Sequence, residues 1–195
     1  MGNISPQIQP FSPTHYFTSI NVKKRDVGST MKFDVPKTPG IYSLVIDVQQ
    51  DMTISVGAMG TLSFSRGYYI YTGSARGKAT MNLHTRIRRH LQDKKKQRWH
   101  IDYLLNHKTT ILRNVLFFET LEDLECAITQ SIITFPSILA VHKGFGASDC
   151  RNQCYSHLSQ FEYSDLETLM RNLSDVYHTF NTSYQIVHNL DDEYV

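Results

Sequence analysis

The sequence predicts a mixed α/β fold in which a small, mostly antiparallel sheet is flanked by helices. Between residues 40 and 72, short runs rich in β-branched and aromatic side chains alternate with turn residues, a pattern typical of strands. From about residue 81, apolar side chains recur with a period of about 3.6 residues, which favours helices. Apolar residues make up 41% of the chain, which is enough for a hydrophobic core.

The predicted strands follow one another closely before the first helix, and one more comes after it. In chain order they cover residues 41–48, 53–56, 61–64, 68–72 and 110–118. The second and third form a hairpin about Gly57 and Gly60, and Gly73 stops the fourth. We therefore expect residues 40–72 to form one antiparallel sheet, which residues 110–118 join.

Two long helices are predicted to cover this sheet. The first spans about residues 81–93, where leucine and isoleucine form one apolar stripe. The second spans about residues 121–134 and ends before Pro136. Shorter helices are predicted at residues 99–105 and 165–172.

Composition divides the chain into three parts. Residues 1–35 are polar and contain several prolines, which predicts an N-terminal extension that forms an extended arm or a peripheral strand. Residues 36–162 contain the predicted sheet and both long helices and form the main domain. Residues 163–195 contain the last helix and an acidic tail, which we expect to be peripheral.

Cysteine content and hydropathy indicate the compartment. The chain has three cysteines, an odd and low number that does not suggest a disulfide framework. No apolar run approaches the roughly 18 residues that span a bilayer, and the first residues lack the pattern of a signal peptide. We therefore expect a soluble cytoplasmic protein, whose oligomeric state the sequence does not define.

A basic stretch stands out in a chain whose formal net charge is only +2. Nine Lys or Arg and one acid lie between Arg76 and Arg98. Such a stretch is either a solvated helix face or a surface for phosphate groups, and nucleic acid is then the commonest specific partner. The candidate nucleic-acid contacts are Lys78, Arg88, Arg89, Lys94, Lys95, Lys96 and Arg98.

Four residues in and around the predicted sheet suit a phosphate group. Tyr42 lies near the start of the first strand, Tyr71 lies near the end of the fourth, and Arg86 and His90 share one helix face. The arginine fork matches phosphate oxygens, and histidine can donate a hydrogen bond or relay a proton. A tyrosine is a poor base unless a cation lowers its pKa, and Arg86 would be such a cation. The set suits phosphodiester cleavage.

Cleavage of this kind usually needs a metal held by a carboxylate. Four acids cluster about the predicted start of the second long helix, where such acids also commonly just stabilise the helix dipole. Glu125 is expected to lie deeper in the helix than the others and precedes two small residues, so it is the predicted metal ligand. A single glutamate completed by water is typical of Mg²⁺, with Mn²⁺ as the substitute.

These residues stand in strings that resemble a known family. The strings are GIYSLVI, YIYTGSA, LHTRIRRHL, RWHIDYLL, LEC and GFGASDC…SHL. Over about residues 38–161 they resemble the GIY-YIG nuclease superfamily, and within it a little-characterised branch that is sometimes fused to endonuclease III. The resemblance implies a GIY-YIG-like fold and a metal-dependent endonuclease of nucleic acid, with DNA as the expected substrate, in repair or recombination.

The resemblance also implies roles for single residues. Tyr42 would act as the general base or orient the water, and Tyr71 and His90 would assist near the scissile phosphate. Arg86 would stabilise the transition state, and Glu125 would bind one divalent metal. The sequence departs from repair-type members after the second triplet, where they carry lysine and this chain has Ser74. Lys78 or Arg76 is the expected substitute.

A second group of potential metal ligands follows the long helices. Cys150, Cys154 and His157 form a C-x3-C-x2-H string, and His142 lies upstream as a possible fourth ligand. The string is compatible with Zn²⁺, but we favour a packed loop that holds free thiols. His157 or Asp149 is also a candidate for the border of the active site. Trp99 is expected to pack on the sheet, with a base-stacking platform as the alternative.

Two other functions remain open from the sequence alone. The same basic cleft would serve a nucleic-acid-binding module that does not cut its ligand. Alternatively, the Cys/Cys/His loop and the N-terminal extension would make a structural, partner-docking protein. Catalytic turnover separates the first from the nuclease, and stoichiometric zinc without nucleic-acid binding would favour the second.

Overall fold

The structure is a computed structural model, and it describes residues 18–22, 34–77, 81–93, 95–162, 165–181 and 183–189. The strands within these ranges are β1 (Thr18–Val22), β2 (Gly40–Val48), β3 (Met52–Ser55), β4 (Thr61–Phe64), β5 (Gly67–Ser74), β6 (Thr110–Glu119), β7 (Ile138–Ala140), β8 (Leu158–Phe161) and β9 (Gln185–Asn189). The α-helices are α1 (Leu83–Leu91), α2 (His100–Leu105), α3 (Glu125–Ile132) and α4 (Leu166–Phe180).

The central sheet of the described residues has seven strands in the order β1-β9-β6-β2-β5-β8-β7. All neighbours are antiparallel except β1 and β9, which are parallel. The predicted fold class, a mostly antiparallel sheet flanked by helices, is confirmed. The hairpin β3-β4 forms a separate two-stranded sheet, because β2 and β5 pair directly with each other and exclude it. The prediction of one sheet across residues 40–72 was therefore wrong for the hairpin.

Strand β2 lies at the centre of the sheet, and its side chains divide between two hydrophobic cores. Tyr42 and Leu44 face the core beneath α1, α2 and the hairpin. Ile41 and Val45 face the opposite core, which α3 and α4 cover. Alternate side chains of a strand point to opposite faces, so this single strand supports both layers of helices.

The second half of the chain departs most from its predicted elements. Helix α3 begins at Glu125, so residues 121–124 precede it, and α4 runs to Phe180, well beyond residue 172. Strand β9 pairs with β6, so residues 185–189 belong to the sheet and are not peripheral. The strands β7, β8 and β9 have three to five residues each, too short for a clear periodic signal.

The ends of the chain are described only in part. Strand β1 lies at one edge of the sheet, consistent with the predicted peripheral strand. The rest of the N-terminal extension up to residue 33, and the acidic residues of the tail after 189, lie outside the described residues. Among the described helices, none combines the length and apolarity needed to cross a membrane.

Candidate active site

The five residues predicted for catalysis line one cavity of about 310 Å³. It lies where the ends of β2 and β5 meet α1, the start of α3 and the loop before β8. The residues concerned are Tyr42, Tyr71, Arg86, His90 and Glu125. The five predicted catalytic residues, which come from segments far apart in the sequence, thus lie at one cavity.

Glycines allow the two tyrosines to reach this cavity. Tyr42 is paired with Gly73 in the neighbouring strand, and a Cβ on Gly73 would lie 2.6 Å from the Tyr42 hydroxyl oxygen. A Cβ on Gly146 would lie 2.6 Å from the Tyr71 ring, and its φ of +68° also favours glycine. Tyr71 sits two residues before Gly73, so both tyrosines project from the same face of the sheet.

Helix α1 places Arg86 and His90 one turn apart. Asn82 caps the helix by accepting a hydrogen bond from the Thr85 backbone N–H at 3.0 Å, and the Thr85 side chain completes the capping box. The apolar stripe that predicted this helix is fully buried and fixes its rotation over the sheet. As a result, His90 Nε2 lies 3.0 Å from the Tyr42 hydroxyl.

Burial keeps the Tyr42–His90 pair neutral. Desolvation raises the pKa of Tyr42 well above its usual range, and the Arg86 cation lowers it only in part. Desolvation also lowers the pKa of His90 well below 6.5, helped by the cations of Lys95, Arg86 and Arg89. The other ring nitrogen, Nδ1, is buried and has no hydrogen-bond partner among the described residues.

Arg86 is held by stacking on an aromatic ring. Its guanidinium carbon lies 4.1 Å from the centroid of the Trp99 ring, and that of Arg89 lies 4.6 Å from it. Trp99 is half-buried and packs against the core below the cavity, as the predicted packing role requires. The Nε of Arg86 has no hydrogen-bond partner among the described residues. Among the described residues, no ion pair neutralises this cation.

The basic stretch contains residues with different surroundings. Arg89 donates to the buried Asp102 carboxylate at 2.5 Å, and Lys95 donates to the His90 carbonyl at 2.8 Å. Both side chains therefore stabilise the fold around α1. The side chains of Arg88, Lys96 and Arg98 are exposed. Two further predicted contacts, Lys78 and Lys94, lie outside the described residues.

Arg76 supplies another cation at the cavity. It ion-pairs with Asp123 at 2.9 Å and donates to the Leu121 carbonyl at 2.9 Å. Of the two substitutes suggested for the missing lysine after the second triplet, Arg76 lines the cavity, and Lys78 lies outside the described residues. The Asp123 carboxylate, which sequence alone placed in a helix, belongs to the loop that anchors this arginine.

Glu125 lines the cavity from a position that differs from the prediction. It is the first residue of α3 and so lies at the start of the helix, not deeper within it, and the other three acids of the cluster precede the helix. Its Oε1 lies 2.8 Å from Nδ1 of the buried His157, an ion-pair contact in which the ring N–H is not aligned for a hydrogen bond. Asp149 brings a second, exposed carboxylate to the same cavity. Of the two suggested border residues, Asp149 lines the cavity and His157 contacts it through Glu125.

The Cys/Cys/His string gains an unpredicted fourth member. Cys126, on α3 directly after Glu125, joins Cys150, Cys154 and His157. The sulfur and nitrogen atoms of these four residues all lie within 4.8 Å of one another. His142, the fourth ligand suggested by the sequence, instead stacks on Phe64 with ring centroids 4.5 Å apart. In the sequence, only the string LEC drew attention to Cys126. Cys126 lies on α3, whereas the other three members of the cluster lie on the loop before β8.

Comparison with known proteins places the chain in a family without assigning an activity. Residues 41–182 match the family described as a domain of unknown function, DUF123. The chain belongs to this family. No curated protein and no solved structure matches it. The matched region contains every residue of the cavity and of the cysteine–histidine cluster, so any functional conclusion must come from the geometry of these sites.

Proposed function

We propose that this protein is a metal-dependent endonuclease that hydrolyses phosphodiester bonds in nucleic acid, with DNA in repair or recombination as the first substrate class to test. One observation carries the proposal: the Tyr42–His90 hydrogen bond, the Arg86 guanidinium and the Glu125 carboxylate all border one open cavity. A base, a cation and a metal ligand facing one space are the groups that phosphodiester hydrolysis needs.

The cations of the cavity suit a phosphodiester group. Arg86 would donate two N–H groups to its non-bridging oxygens and meet the charge that develops during attack. Stacking on Trp99 holds the guanidinium plane in place before the substrate arrives, which limits reorganisation during the reaction. Arg76 would contact the same phosphate or its neighbour. The exposed cations Arg88, Lys96 and Arg98 would bind the backbone further along the strand.

The Tyr42–His90 pair would handle the proton of the attacking water. In this scheme Tyr42 takes a proton from water while its own proton passes to Nε2 of His90. The raised pKa of Tyr42 and the lowered pKa of His90 oppose a full transfer in the protein alone. Extra positive charge near the water is therefore required. The attack is direct hydrolysis and needs no covalent intermediate.

The donor atoms in the cavity fit a hard divalent cation. Glu125 and Asp149 both bring carboxylate oxygens to the cavity, and Mg²⁺ is typically bound through one or two carboxylates plus substrate phosphates and water. When bound, Mg²⁺ or Mn²⁺ lowers the pKa of the attacking water and offsets phosphate charge. Glu125 Oε2 is the better ligand atom, because Oε1 already contacts His157.

A second candidate function keeps the same cavity without turnover. The opposed pKa values of Tyr42 and His90, and the use of Glu125 Oε1 by His157, favour a module that binds nucleic acid and does not cut it. Both candidates predict binding that weakens with salt. Only cleavage separates them.

The test is a cleavage assay on defined substrates. End-labelled single-stranded, duplex, flap and nicked DNA, and RNA, would be incubated with Mg²⁺ or Mn²⁺. Arg86→Ala and Glu125→Gln would be compared with Arg171→Ala, which removes an exposed arginine of α4, a helix that does not line the cavity. Loss of about 10³-fold in the first two, with full activity in the control, is expected.

Other outcomes of this assay decide against the nuclease. Cleavage that survives in both cavity variants would assign the activity to a contaminant. No cleavage of any substrate by the wild type, with binding that is lost in Arg86→Ala, would establish the binding module instead. Folding of each variant is checked by circular dichroism, so that loss of activity is not confused with loss of structure.

A further inference from the structure

The cysteine–histidine cluster contains no residue that lines the cavity, and it uses every cysteine of the chain. Cys126 and Cys150 have sulfurs 3.3 Å apart, and the sulfur of Cys126 lies 3.8 Å from Nε2 of His157. The three cysteines are half-buried, whereas His157 is only 4% exposed. Three thiols and a ring nitrogen thus converge on one point below the surface.

The loop that carries three of these residues is shaped to turn them inward. Its backbone folds back on itself through the hydrogen bonds from Gly144 N–H to the Tyr155 carbonyl at 2.7 Å and from His157 N–H to the Phe145 carbonyl at 2.9 Å. Gln153 adopts a left-handed φ of 53°, an uncommon conformation for a residue other than glycine. This turn lets Cys150 and Cys154 face the same point although they lie on a tight loop.

We propose that Cys126, Cys150, Cys154 and His157 bind one structural Zn²⁺ ion. Three thiolates and an imidazole are the soft donors that zinc prefers, and four protein ligands make a closed structural site. Zinc–sulfur bonds of about 2.3 Å in a tetrahedron place the ligand atoms about 3.8 Å apart. All four atoms lie within 4.8 Å of one another, which leaves room for one ion and requires only small adjustments.

The ion joins two elements whose ligands Cys126 and Cys150 lie 24 residues apart in the chain. Cys126 belongs to the first turn of α3, and the other three ligands belong to the loop before β8. Both elements border the cavity, through Glu125 and Asp149. A zinc ion at this position fixes the start of α3 against the loop, and with it one wall of the cavity.

His157 connects the proposed ion with Glu125. Its Nε2 faces Cys126, and its Nδ1 lies 2.8 Å from Glu125 Oε1. Zinc-bound histidines usually give their second ring N–H to a carboxylate, and a small rotation of the His157 ring would align its Nδ1–H on Glu125. Glu125 is then a positioning partner of the zinc site as well as a wall of the cavity. The zinc proposal does not depend on nuclease activity.

The first experiment measures metal content and ligand type in the full-length protein. After purification under reducing conditions and incubation with Zn²⁺, elemental analysis of the desalted protein is expected to give one zinc per chain. Exchange with Co²⁺ should produce the intense sulfur-to-cobalt charge-transfer bands and the ligand-field bands of a tetrahedral thiolate site. This readout needs no variant and no activity. A protein that retains no metal and gives an octahedral Co²⁺ spectrum would overturn the proposal.

Two variants identify the ligands. Cys126→Ser is expected to lose the Co²⁺ charge-transfer bands or reduce their intensity by about a third, because one of three sulfurs is removed. His142→Asn is the matched control, since it removes the histidine that sequence alone suggested and keeps a residue tolerant of the φ of 55° there. It should retain a full zinc equivalent. Loss of zinc in His142→Asn with retention in Cys126→Ser would refute the ligand set.

Glu125→Gln tests the link from the zinc site to the cavity. It should still bind one zinc, with affinity lowered about 10- to 100-fold, because it removes a partner of a ligand and not a ligand. An unchanged zinc affinity would refute the link and leave the four-ligand site intact. Mass spectrometry under non-reducing conditions decides the remaining rival. A Cys126–Cys150 disulfide in the protein as isolated from cells would contradict a zinc site.

Discussion

Tyr42 and Tyr177 are two buried phenols on opposite sides of the same strand. The Tyr177 hydroxyl donates to Ser43 Oγ at 2.8 Å, whereas the Tyr42 hydroxyl meets Nε2 of His90 at 3.0 Å. Desolvation raises the pKa of both phenols well above the usual range. Ser43 and Thr72 continue the network around Tyr177 with a hydroxyl contact of 3.1 Å.

The difference between the two tyrosines lies in their surroundings and not in their burial. Tyr177 is enclosed by hydroxyl and carbonyl partners within the core that α4 covers. Tyr42 borders an open cavity, together with Arg86 and Glu125. A raised tyrosine pKa therefore does not identify a functional site by itself. The open space and the unneutralised cation distinguish the candidate active site from the structural network.

The strongest test of this comparison removes each hydroxyl in turn. Tyr42→Phe is expected to reduce cleavage about 10²- to 10⁴-fold, because the proton path to His90 is lost. Tyr177→Phe is expected to leave cleavage within about 3-fold of the wild type and to lower the free energy of unfolding by about 1 to 3 kcal/mol, since Ser43 loses a buried partner. Single-turnover cleavage and urea unfolding of both variants measure the two effects.

Equal losses of activity in both variants would break the comparison. This result would mean that Tyr177 supports the cavity through β2, and that the hydroxyl network of Tyr177 is part of the functional site. A large loss of stability in Tyr42→Phe without a specific loss of activity would make Tyr42 another structural tyrosine.

A smaller loss of activity is expected from Gly73→Ala. The new Cβ would lie 2.6 Å from the Tyr42 hydroxyl oxygen, so the ring must shift away from His90. A displacement of about 1 Å commonly costs about 10²-fold in rate. In the double variant with Tyr42→Phe, the two losses should not multiply, because both act through one hydroxyl. Fully multiplicative losses would show that Gly73 acts elsewhere.

Sequence alone predicted the parts of this fold whose signal is local. The long strands β2 and β6 and the helix α1 carry strong periodic patterns, and their segments were predicted within a few residues. Strand β8 has four residues and forms only because β5 and β7 lie beside it. Strand β9 likewise depends on β6 and β1. Pairings between distant segments leave little trace in a short run of sequence.

The residues of the candidate site likewise divide into those that local sequence predicted and those that depend on distant contacts. Tyr42, Tyr71, Arg86 and His90 stand in strings short enough to be noticed together, and the structure places them at one cavity. Cys126 was missed because its partners lie on a loop far along the chain. The acids before Glu125 suggested an earlier helix start, but Asp123 instead pairs with Arg76. That contact is tertiary, so composition did not indicate it.

The pH dependence of stability offers a subtler test of the same pair. Burial lowers the pKa of His90 below its unfolded value near 6.5, so the unfolded chain binds more protons below that pH. Stability should therefore fall as the pH decreases from about 6.5 toward the lowered pKa, by at most about 1.4 kcal/mol per pH unit from this group. His90→Gln should remove this contribution.

Urea unfolding of wild type, His90→Gln and Tyr177→Phe between about pH 7.5 and 5 measures this contribution of His90 to the pH dependence of stability. Burial also lowers the pKa values of His100 and His142. Burial opposes the charged form of His157 as well, but the contacts with Glu125 and Cys150 together outweigh it and raise the pKa of that residue. These three histidines are unchanged in the variants. The difference between wild type and His90→Gln in the slope of unfolding free energy against pH therefore reports His90 alone. Tyr177→Phe should keep the wild-type slope. An unchanged slope in His90→Gln would mean that His90 is charged in the folded protein.

The smallest expected effect separates the cations that serve the fold from those that meet nucleic acid. Arg98 is exposed, and Arg98→Ala should reduce the slope of log affinity against log salt by about 1 without changing stability. Arg89→Ala should instead lower the free energy of unfolding by about 2 kcal/mol, because the fully buried Asp102 loses its cation. Salt-dependent binding and urea unfolding of both variants give the two numbers. A lower salt slope with unchanged stability in Arg89→Ala would place Arg89 in the nucleic-acid interface. All the arginines on the basic face of α1 would then contact nucleic acid.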